Sequence, residues 1–191
     1  MIRKLRMLVG AGIVVGGLAV ASYAIAGALD KPLKAPRVPN AKTFSARLVS
    51  YQETPLTLST HAFGDFNAKL VNDATLHFVL RFANLEGGNT LFAHVHLGAP
   101  ATTGGVMFFL CGTMGGRPAC PNGSGEAEGD VTAANVIGPS GQGITAGEFD
   151  EVIKAMRSGA AYANVHTVTY AGGEIRGQIH PGHGKGKGHD K

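Results

Sequence analysis

Three things are scarce in this sequence of 191 residues. Tryptophan is absent, cysteine occurs only twice, and charged residues make up only 16% of the chain. One cysteine pair can hold a loop but cannot staple a whole fold. Glycine, with 29 residues, is abundant, and this mix favours short strands and turns over long helices. The length leaves room for one domain with a substantial core.

Positive charge is scarce in the part of the chain that can fold, although the formal net charge is +4. Residues 43–184 hold seven Lys or Arg against eleven Asp or Glu, a net charge of −4. The cations that reverse this sign lie before and after that range. A positive stripe that could follow a phosphate backbone is therefore missing, and we expect no nucleic-acid partner.

The motifs of several enzyme classes are missing as well. The sequence has no G-x-S-x-G nucleophile motif, no Walker loop, no dinucleotide-binding fingerprint and no H-E-x-x-H pattern. These absences favour a module that binds or supports over one that catalyses a reaction.

Residues 1–28 are typical of an export segment. A basic start (RKLR, residues 3–6) precedes a run without charge over residues 7–28. The small residues of AIA, at 24–26, predict cleavage by a signal peptidase after Ala26. The apolar run is also about 20 residues long, enough to span a bilayer as an uncleaved anchor. In both cases we expect the protein to be exported (secreted, periplasmic or at the cell surface). It would meet the membrane only through this segment, and only if the segment is uncleaved.

Two other segments lack the pattern of a core. Residues 29–42 contain three prolines and four cations, which is the composition of an extended linker. Residues 181–191 are mostly Gly, Lys and His and should form a disordered tail. The folded domain is therefore expected over residues 43–180.

Within that domain, eight segments alternate with the period of a β-strand between Gly, Pro, Asn or Asp residues. They are residues 43–50, 65–71, 74–85, 91–97, 105–110, 125–131, 160–168 and 174–180. Asn72 and Asp73 separate the second and third segments and predict a tight hairpin. The pattern predicts a mostly β fold, an antiparallel β-sandwich or flattened barrel of about eight strands.

One short helix interrupts the strands. Its apolar residues repeat at helical spacing from Phe149 to Met156. Thr145 and Glu148 have the spacing of a capping box at its start, and Gly159 follows as a stop signal.

The histidines predict a metal site. The H-V-H sequence at 94–96 puts the imidazoles of His94 and His96 on one face of a strand, about 6 to 7 Å apart. His166 lies in another predicted strand, and His180 ends the last one. Because neutral imidazoles suit copper or zinc, we expect these four residues to be the ligands. Each ring must be neutral to bind, so the affinity should fall as the pH drops through about 6. The alternative is a structural row of hydrogen-bonded histidines.

The two cysteines, Cys111 and Cys120, both lie in the exported part. An even number of cysteines in an oxidising compartment predicts a disulfide that closes the loop CGTMGGRPAC. A zinc site is not indicated, because the spacing is not that of a zinc knuckle.

A second polar segment, EIRGQ at 174–178, puts Glu174 and Arg176 on one face of the last strand. No nucleophile is evident nearby in the sequence, so we predict an ion-pair network that joins strands and includes Glu53.

Several of these segments, taken together, resemble the CHRD domain, which is named after chordin, an extracellular antagonist of growth factors, and also occurs in bacterial exported proteins. The shared marks are YQETP, AHVHLG, ITAGEFDEVIKAMRSG, YANVHT and GGEIRGQI, in this order over about residues 43–180. The sequence has ETP where the family commonly has two prolines, and the loop between the cysteines is an insertion. The resemblance implies an extracellular β domain with a binding or scaffold role. It implies no established reaction and offers no catalytic residue.

Our leading hypothesis is an exported binding or structural module for an extracellular protein or a small ligand, with a metal held by the histidines. The alternative is a copper-dependent enzyme similar to superoxide dismutase, since H-V-H on a strand of a β-barrel resembles part of that site. No histidine lies between Leu97 and Val165, so the bridging histidine and the zinc cluster of copper–zinc dismutases are missing. Only a copper site of His94, His96, His166 and His180 would remain.

Overall fold

The computed structural model describes residues 38–182, which form nine β-strands and one α-helix. The strands are β1 (Thr43–Val49), β2 (Phe63–Asn72), β3 (Thr75–Ala83), β4 (Thr90–Leu97), β5 (Val106–Cys111), β6 (Gly125–Val131), β7 (Ala161–Thr167), β8 (Ile175–Gln178) and β9 (His180–Pro181). The helix α1 (Phe149–Arg157) lies between β6 and β7 in the chain. The pairings are antiparallel, in the order β5-β4-β7-β8-β1-β2-β3-β6, with β9 beside β1. The predicted fold class is confirmed, because the sheet curls into a nearly closed barrel.

The core lies inside this barrel and follows the alternation of the sequence. In β3, the side chains of Leu76, Phe78 and Leu80 are fully buried, while those between them point outward. The predicted hairpin joins β2 to β3, and the side chain of Asn72 accepts a hydrogen bond from the Ala74 N–H (2.9 Å). This short polar side chain stabilises the tight turn by completing it with a local hydrogen bond.

Most strand ends differ from the prediction by one or two residues, and two elements differ in a more informative way. The last strand is divided into β8 and β9 at Ile179, although its register with β1 continues from Arg176 to His180. The helix begins at Phe149, so Thr145 is not its cap; instead the Glu148 carboxylate accepts a hydrogen bond from the Thr145 N–H (2.6 Å) in the preceding turn.

The predicted export segment, most of the linker and most of the tail lie outside the described residues. Within residues 38–182, no helix has the length and apolar character needed to cross a membrane.

The barrel closes at a seam between β5 and β6, the two ends of the strand order. The Cys111–Cys120 disulfide is confirmed, and the loop that it closes lies at this seam. From that loop, Arg117 donates one hydrogen bond to the Phe109 carbonyl of β5 (3.1 Å) and another to the Asp130 carbonyl of β6 (2.9 Å). Because β5 and β6 do not pair with each other, these carbonyls lack a donor from a neighbouring strand. The Arg117 side chain provides that donor.

Replacing Cys111 and Cys120 together by serine is expected to lower the free energy of unfolding by about 2 to 3 kcal/mol. The loop is short, with a sequence separation of nine residues, so the entropy that its closure removes from the unfolded chain is modest. Urea unfolding under non-reducing conditions measures the effect. A reductant should lower the wild-type stability by a similar amount and leave the double variant unchanged; equal midpoints for all samples would contradict the prediction.

Candidate metal centre

Strands β4, β7 and β8 have buried side chains on both faces. One face belongs to the core, where Val95, Val165 and Ile175 are fully buried. The other face carries polar and aromatic side chains, which form two rows across the three strands. In register these rows are His94, Asn164 and Arg176, and His96, Tyr162 and Gln178.

Three histidines on this polar face form a cluster, which we call the histidine cluster: His94, His96 and His166. Each ring offers one nitrogen, and these three nitrogens all lie within 4.8 Å of one another. The residues are only 4%, 8% and 5% exposed, so the cluster is closed off from bulk water. Three converging imidazoles in this arrangement match the nitrogen ligand set of a transition-metal site.

Backbone hydrogen bonds determine which nitrogens are available. His96 Nδ1 donates to the Gly104 carbonyl (2.8 Å), and His166 Nδ1 donates to the Ala171 carbonyl (3.0 Å). In a neutral imidazole the Nε2 of each ring then carries a free lone pair. Metal-binding histidines are usually oriented in this way, by a hydrogen bond from the other ring nitrogen to an acceptor that does not touch the metal.

The Nε2 atoms of His96 and His166 have no hydrogen-bond partner, and neither has one nitrogen of His94. Nε2 of His96, Nε2 of His166 and Nδ1 of His94 are all buried and unpaired. Buried polar atoms are nearly always paired, and leaving one unpaired costs about 1 to 3 kcal/mol. Three such atoms on neighbouring rings are therefore costly unless something else binds them.

Local backbone features bring the rings together. Strand β5 contains an extra residue on either side of the pairing of His94 and Val95, and such bulges change the direction of nearby side chains. Gly104 lies so close to the backbone of Leu97 that a Cβ atom there would be 1.6 Å from the Leu97 oxygen. Only glycine therefore lets this segment approach β4 closely enough to place its carbonyl on His96.

Aromatic rings surround one side of the histidine cluster. The Phe92 ring lies 5.1 Å from the His94 ring and 4.8 Å from the His166 ring, between centroids. Phe109 packs edge-on against His94 at 5.2 Å. These contacts leave the cluster with an apolar boundary that offers no hydrogen bonds.

On the other side, three planar groups form a stack. The Arg176 guanidinium carbon lies 3.6 Å from the centre of the Tyr162 ring, and that ring is parallel to His96 at 4.6 Å. Arg176 is held in place by hydrogen bonds to the Thr54 hydroxyl and to the Ala99 carbonyl (3.3 Å). A fixed positive charge thus lies close to the histidine cluster.

Burial keeps the three rings neutral. It lowers the pKa of His94 to about 2, with further lowering by the charges that His166 and His96 would carry. Burial also lowers the pKa of His96 and of His166 to about 4 each, although their backbone hydrogen bonds oppose this. The expectation that metal affinity falls near pH 6 assumed an ordinary histidine pKa. Because the pKa values of these buried rings are lower, we expect the metal affinity to fall nearer pH 4.

The three residues of the predicted ion-pair network, Glu53, Glu174 and Arg176, are all buried. None of them forms an ion pair within 4.0 Å among the described residues, and each is held by hydrogen bonds to partners of its own. Asn164 donates to the Glu53 carboxylate (2.6 Å), and burial raises the pKa of Glu53 to about 7.

Glu174 connects a loop to the strands. Its carboxylate accepts hydrogen bonds from the N–H groups of Glu86 (2.6 Å) and Gly87 (3.0 Å) and from the Thr167 hydroxyl (2.8 Å). Three donors satisfy this carboxylate in the interior, where a bare negative charge would be costly.

His180, the fourth expected ligand, lies outside the histidine cluster. It is exposed and pairs with Ser45 of β1. The register with β1 is unbroken from Arg176 to His180, so His180 lies beyond the first residue of β7, farther along the sheet than the other three.

Four residues that surround the cluster were not predicted from the sequence: Phe92, Phe109, Tyr162 and Asn164. Three of them had a usable signal, and for two it lies in β7, where Tyr162 and Asn164 alternate in phase with His166. Phe92 likewise alternates with His94, whereas the bulged pairing of β5 hides the phase of Phe109.

Comparison with known proteins agrees with the resemblance noted above. The family model of the CHRD domain matches residues 44–179, a range that runs from β1 to the end of β8 and contains the whole histidine cluster. No curated protein and no solved structure matches the chain.

Proposed function

The chain belongs to the CHRD domain family, and we propose that it is an exported binding module that holds one transition-metal ion through His94, His96 and His166. Membership supports a binding or structural role in general. The metal is copper or zinc, the ions that neutral imidazoles suit.

One observation carries the proposal: each of three buried rings has a nitrogen without a hydrogen-bond partner, and the three rings offer ligand nitrogens within 4.8 Å of one another. A metal ion bound at their centre would satisfy all three at once. The alternative role, a structural row of histidines, would require each ring to have two partners or access to water. Two rings have one backbone partner each and His94 Nδ1 has none.

Export is part of the proposal. The disulfide between Cys111 and Cys120 is consistent with an oxidising compartment, and the charge pattern of residues 1–28 is typical of a segment that directs export. N-terminal sequencing of the mature protein tests it: a start near Gly27 supports cleavage, and a retained Met1 indicates an anchor.

The dismutase-like enzyme has less support than the binding module. Its copper site needed His180 as a fourth ligand, and that residue is exposed and outside the histidine cluster. The cluster is also at most 8% exposed, whereas a catalytic metal site keeps an open position for water or substrate.

Titration of copper and zinc into the purified chain tests the metal site. We expect one equivalent to bind, and His96→Ala or His166→Ala to weaken binding by at least about a hundredfold, because each change removes a ligand that the remaining side chains do not replace. Competition with a chromophoric chelator measures the affinity.

Three other histidines provide matched controls. His183 and His189 lie in the Gly-Lys-His tail, and His180→Ala removes an exposed ring near the end of the fold. These variants should bind as the wild type does. If replacing His183 and His189 by alanine abolishes metal binding while the His96→Ala variant still binds, the tail captures the metal and the proposed site does not exist.

A further inference from the structure

We infer that the histidine cluster selects monovalent copper over divalent zinc and divalent copper. The inference rests on the proposed function and extends it to the identity and charge of the ion. It follows from three features of the surroundings: the absence of an anionic ligand, the apolar boundary, and the fixed charge of Arg176.

The first feature is the charge of the ligand set. Within residues 38–182, no carboxylate or thiolate joins the three imidazoles. Among the described residues, the charged side chain that acts on a ring of the cluster is Arg176, which is positive and stacks with Tyr162 beside His96. A bound ion would therefore keep its full charge in a buried place. The cost of burying a charge rises steeply with its size, so a monovalent ion is favoured over a divalent one.

The second feature is the number of ligands. Three nitrogens can complete the coordination of monovalent copper, whereas zinc is almost always four-coordinate and takes water or another group as its fourth ligand. Here the rings of Phe92 and Phe109 lie against His94. A water molecule bound to the metal on that side would find no hydrogen-bond acceptor, which disfavours the fourth ligand that zinc requires.

The third feature is the stack of Arg176, Tyr162 and His96. Its spacings place the guanidinium carbon no more than about 8 Å from the centre of the His96 ring. At an effective dielectric constant of about 20, each additional unit of positive charge on a metal 8 to 10 Å away is disfavoured on the order of tenfold. Arg176 thus acts on the choice of ion without contacting it.

The experiment compares three ions on the purified full chain carrying His183→Ala and His189→Ala. Monovalent copper is kept reduced by ascorbate, which spares the disulfide, and is presented with bicinchoninate; zinc and divalent copper are presented with chelators of known affinity. We expect one equivalent of each ion at most, with monovalent copper bound at least about tenfold more tightly than the other two.

The results separate the two levels of the argument. Equal or tighter binding of zinc or divalent copper overturns the selectivity and leaves the proposed function standing. No binding of any ion removes the proposed function as well. A second measurement uses the bound copper itself, since each tenfold preference for the monovalent state raises its reduction potential by about 59 mV.

Two variants isolate the effect of the charge. Arg176→Lys keeps the charge, so the ratio of affinities for monovalent copper and zinc should stay close to that of the wild type. Arg176→Gln removes it, and the ratio should fall about tenfold toward zinc. If Arg176 has only a structural role, Arg176→Gln would weaken the binding of both ions equally and leave the ratio of affinities unchanged. That result would exclude Arg176 as the source of selectivity.

Discussion

Lowering the pH of the metal-free protein from about 7.5 to about 5 is expected to reduce the free energy of unfolding by about 3 to 4 kcal/mol. The cause is the histidine cluster. In the folded protein the pKa of His94 is lowered to about 2 and those of His96 and His166 to about 4, so the rings stay neutral. In the unfolded chain all three gain protons below their ordinary pKa of 6.5. The unfolded state therefore binds more protons, and stability falls with pH in this window.

Glu53 opposes this loss. Burial raises its pKa from 4.5 to about 7, so between these values the folded state holds a proton that the unfolded state has released. Its contribution to stability is present at low pH and is lost as the pH rises through about 7. Near pH 5 three histidines outweigh one carboxyl, and unfolding takes up about two protons net. Glu53→Gln removes the opposing effect, so the loss on acidification should become larger.

Urea unfolding at the two pH values, with a chelator present, measures the effect. His94→Leu should reduce the loss on acidification by about 2 kcal/mol, because one proton uptake is removed. His180→Ala should leave it unchanged, because this ring is exposed in the folded protein. A wild-type stability that is flat between the two pH values would show that the rings are charged in the folded state.

Replacing Glu174 by alanine is expected to lower the free energy of unfolding by about 3 to 5 kcal/mol. The carboxylate is completely buried and accepts three hydrogen bonds, from the N–H groups of Glu86 and Gly87 and from the Thr167 hydroxyl. Its removal leaves these donors without partners and loosens the loop before β4, which backbone hydrogen bonds from Val168 and Thr169 still hold. Thermal and urea unfolding measure the loss.

Two variants serve as controls for Glu174→Ala. Glu174→Gln keeps one carbonyl oxygen as an acceptor and should lose less stability. Glu126→Ala removes a carboxylate that pairs with Arg81 on the exposed outer face of β6, where ion pairs contribute little. If Glu174→Ala were no more harmful than Glu126→Ala, the hydrogen bonds of Glu174 would not stabilise the fold.

The histidine cluster shows which ligand positions strand alternation can predict. Alternation placed His94 and His96 on one face of β4, and the neighbouring strand contributes His166, as expected. Alternation also placed His180 with them, but His180 pairs with Ser45 of β1 beyond the first residue of β7, away from the other three. A period of two predicts the face on which a side chain lies, whereas its position along the sheet depends on the register between strands.

The polar network shows a different limit. The sequence indicated that Glu53, Glu174 and Arg176 are used together, but opposite charges on one strand face suggested ion pairs. The folded chain surrounds each of them with backbone and neutral side-chain partners, such as Asn164 for Glu53 and Thr54 for Arg176. Which partner a buried charge finds depends on loops that are distant in sequence.

The sequence by itself determined the fold class, the disulfide and the family, and it predicted the three histidines that the fold brings together. These properties depend on local composition, on the period of the strands and on short motifs, all of which can be read along the chain. Tertiary structure alone decided that the polar face is buried, which nitrogens are free, and that Arg176 stacks on Tyr162 beside His96. The physical reason is that burial and hydrogen-bond partners arise from segments far apart in sequence, such as the Gly104 and Ala171 carbonyls that orient two of the rings.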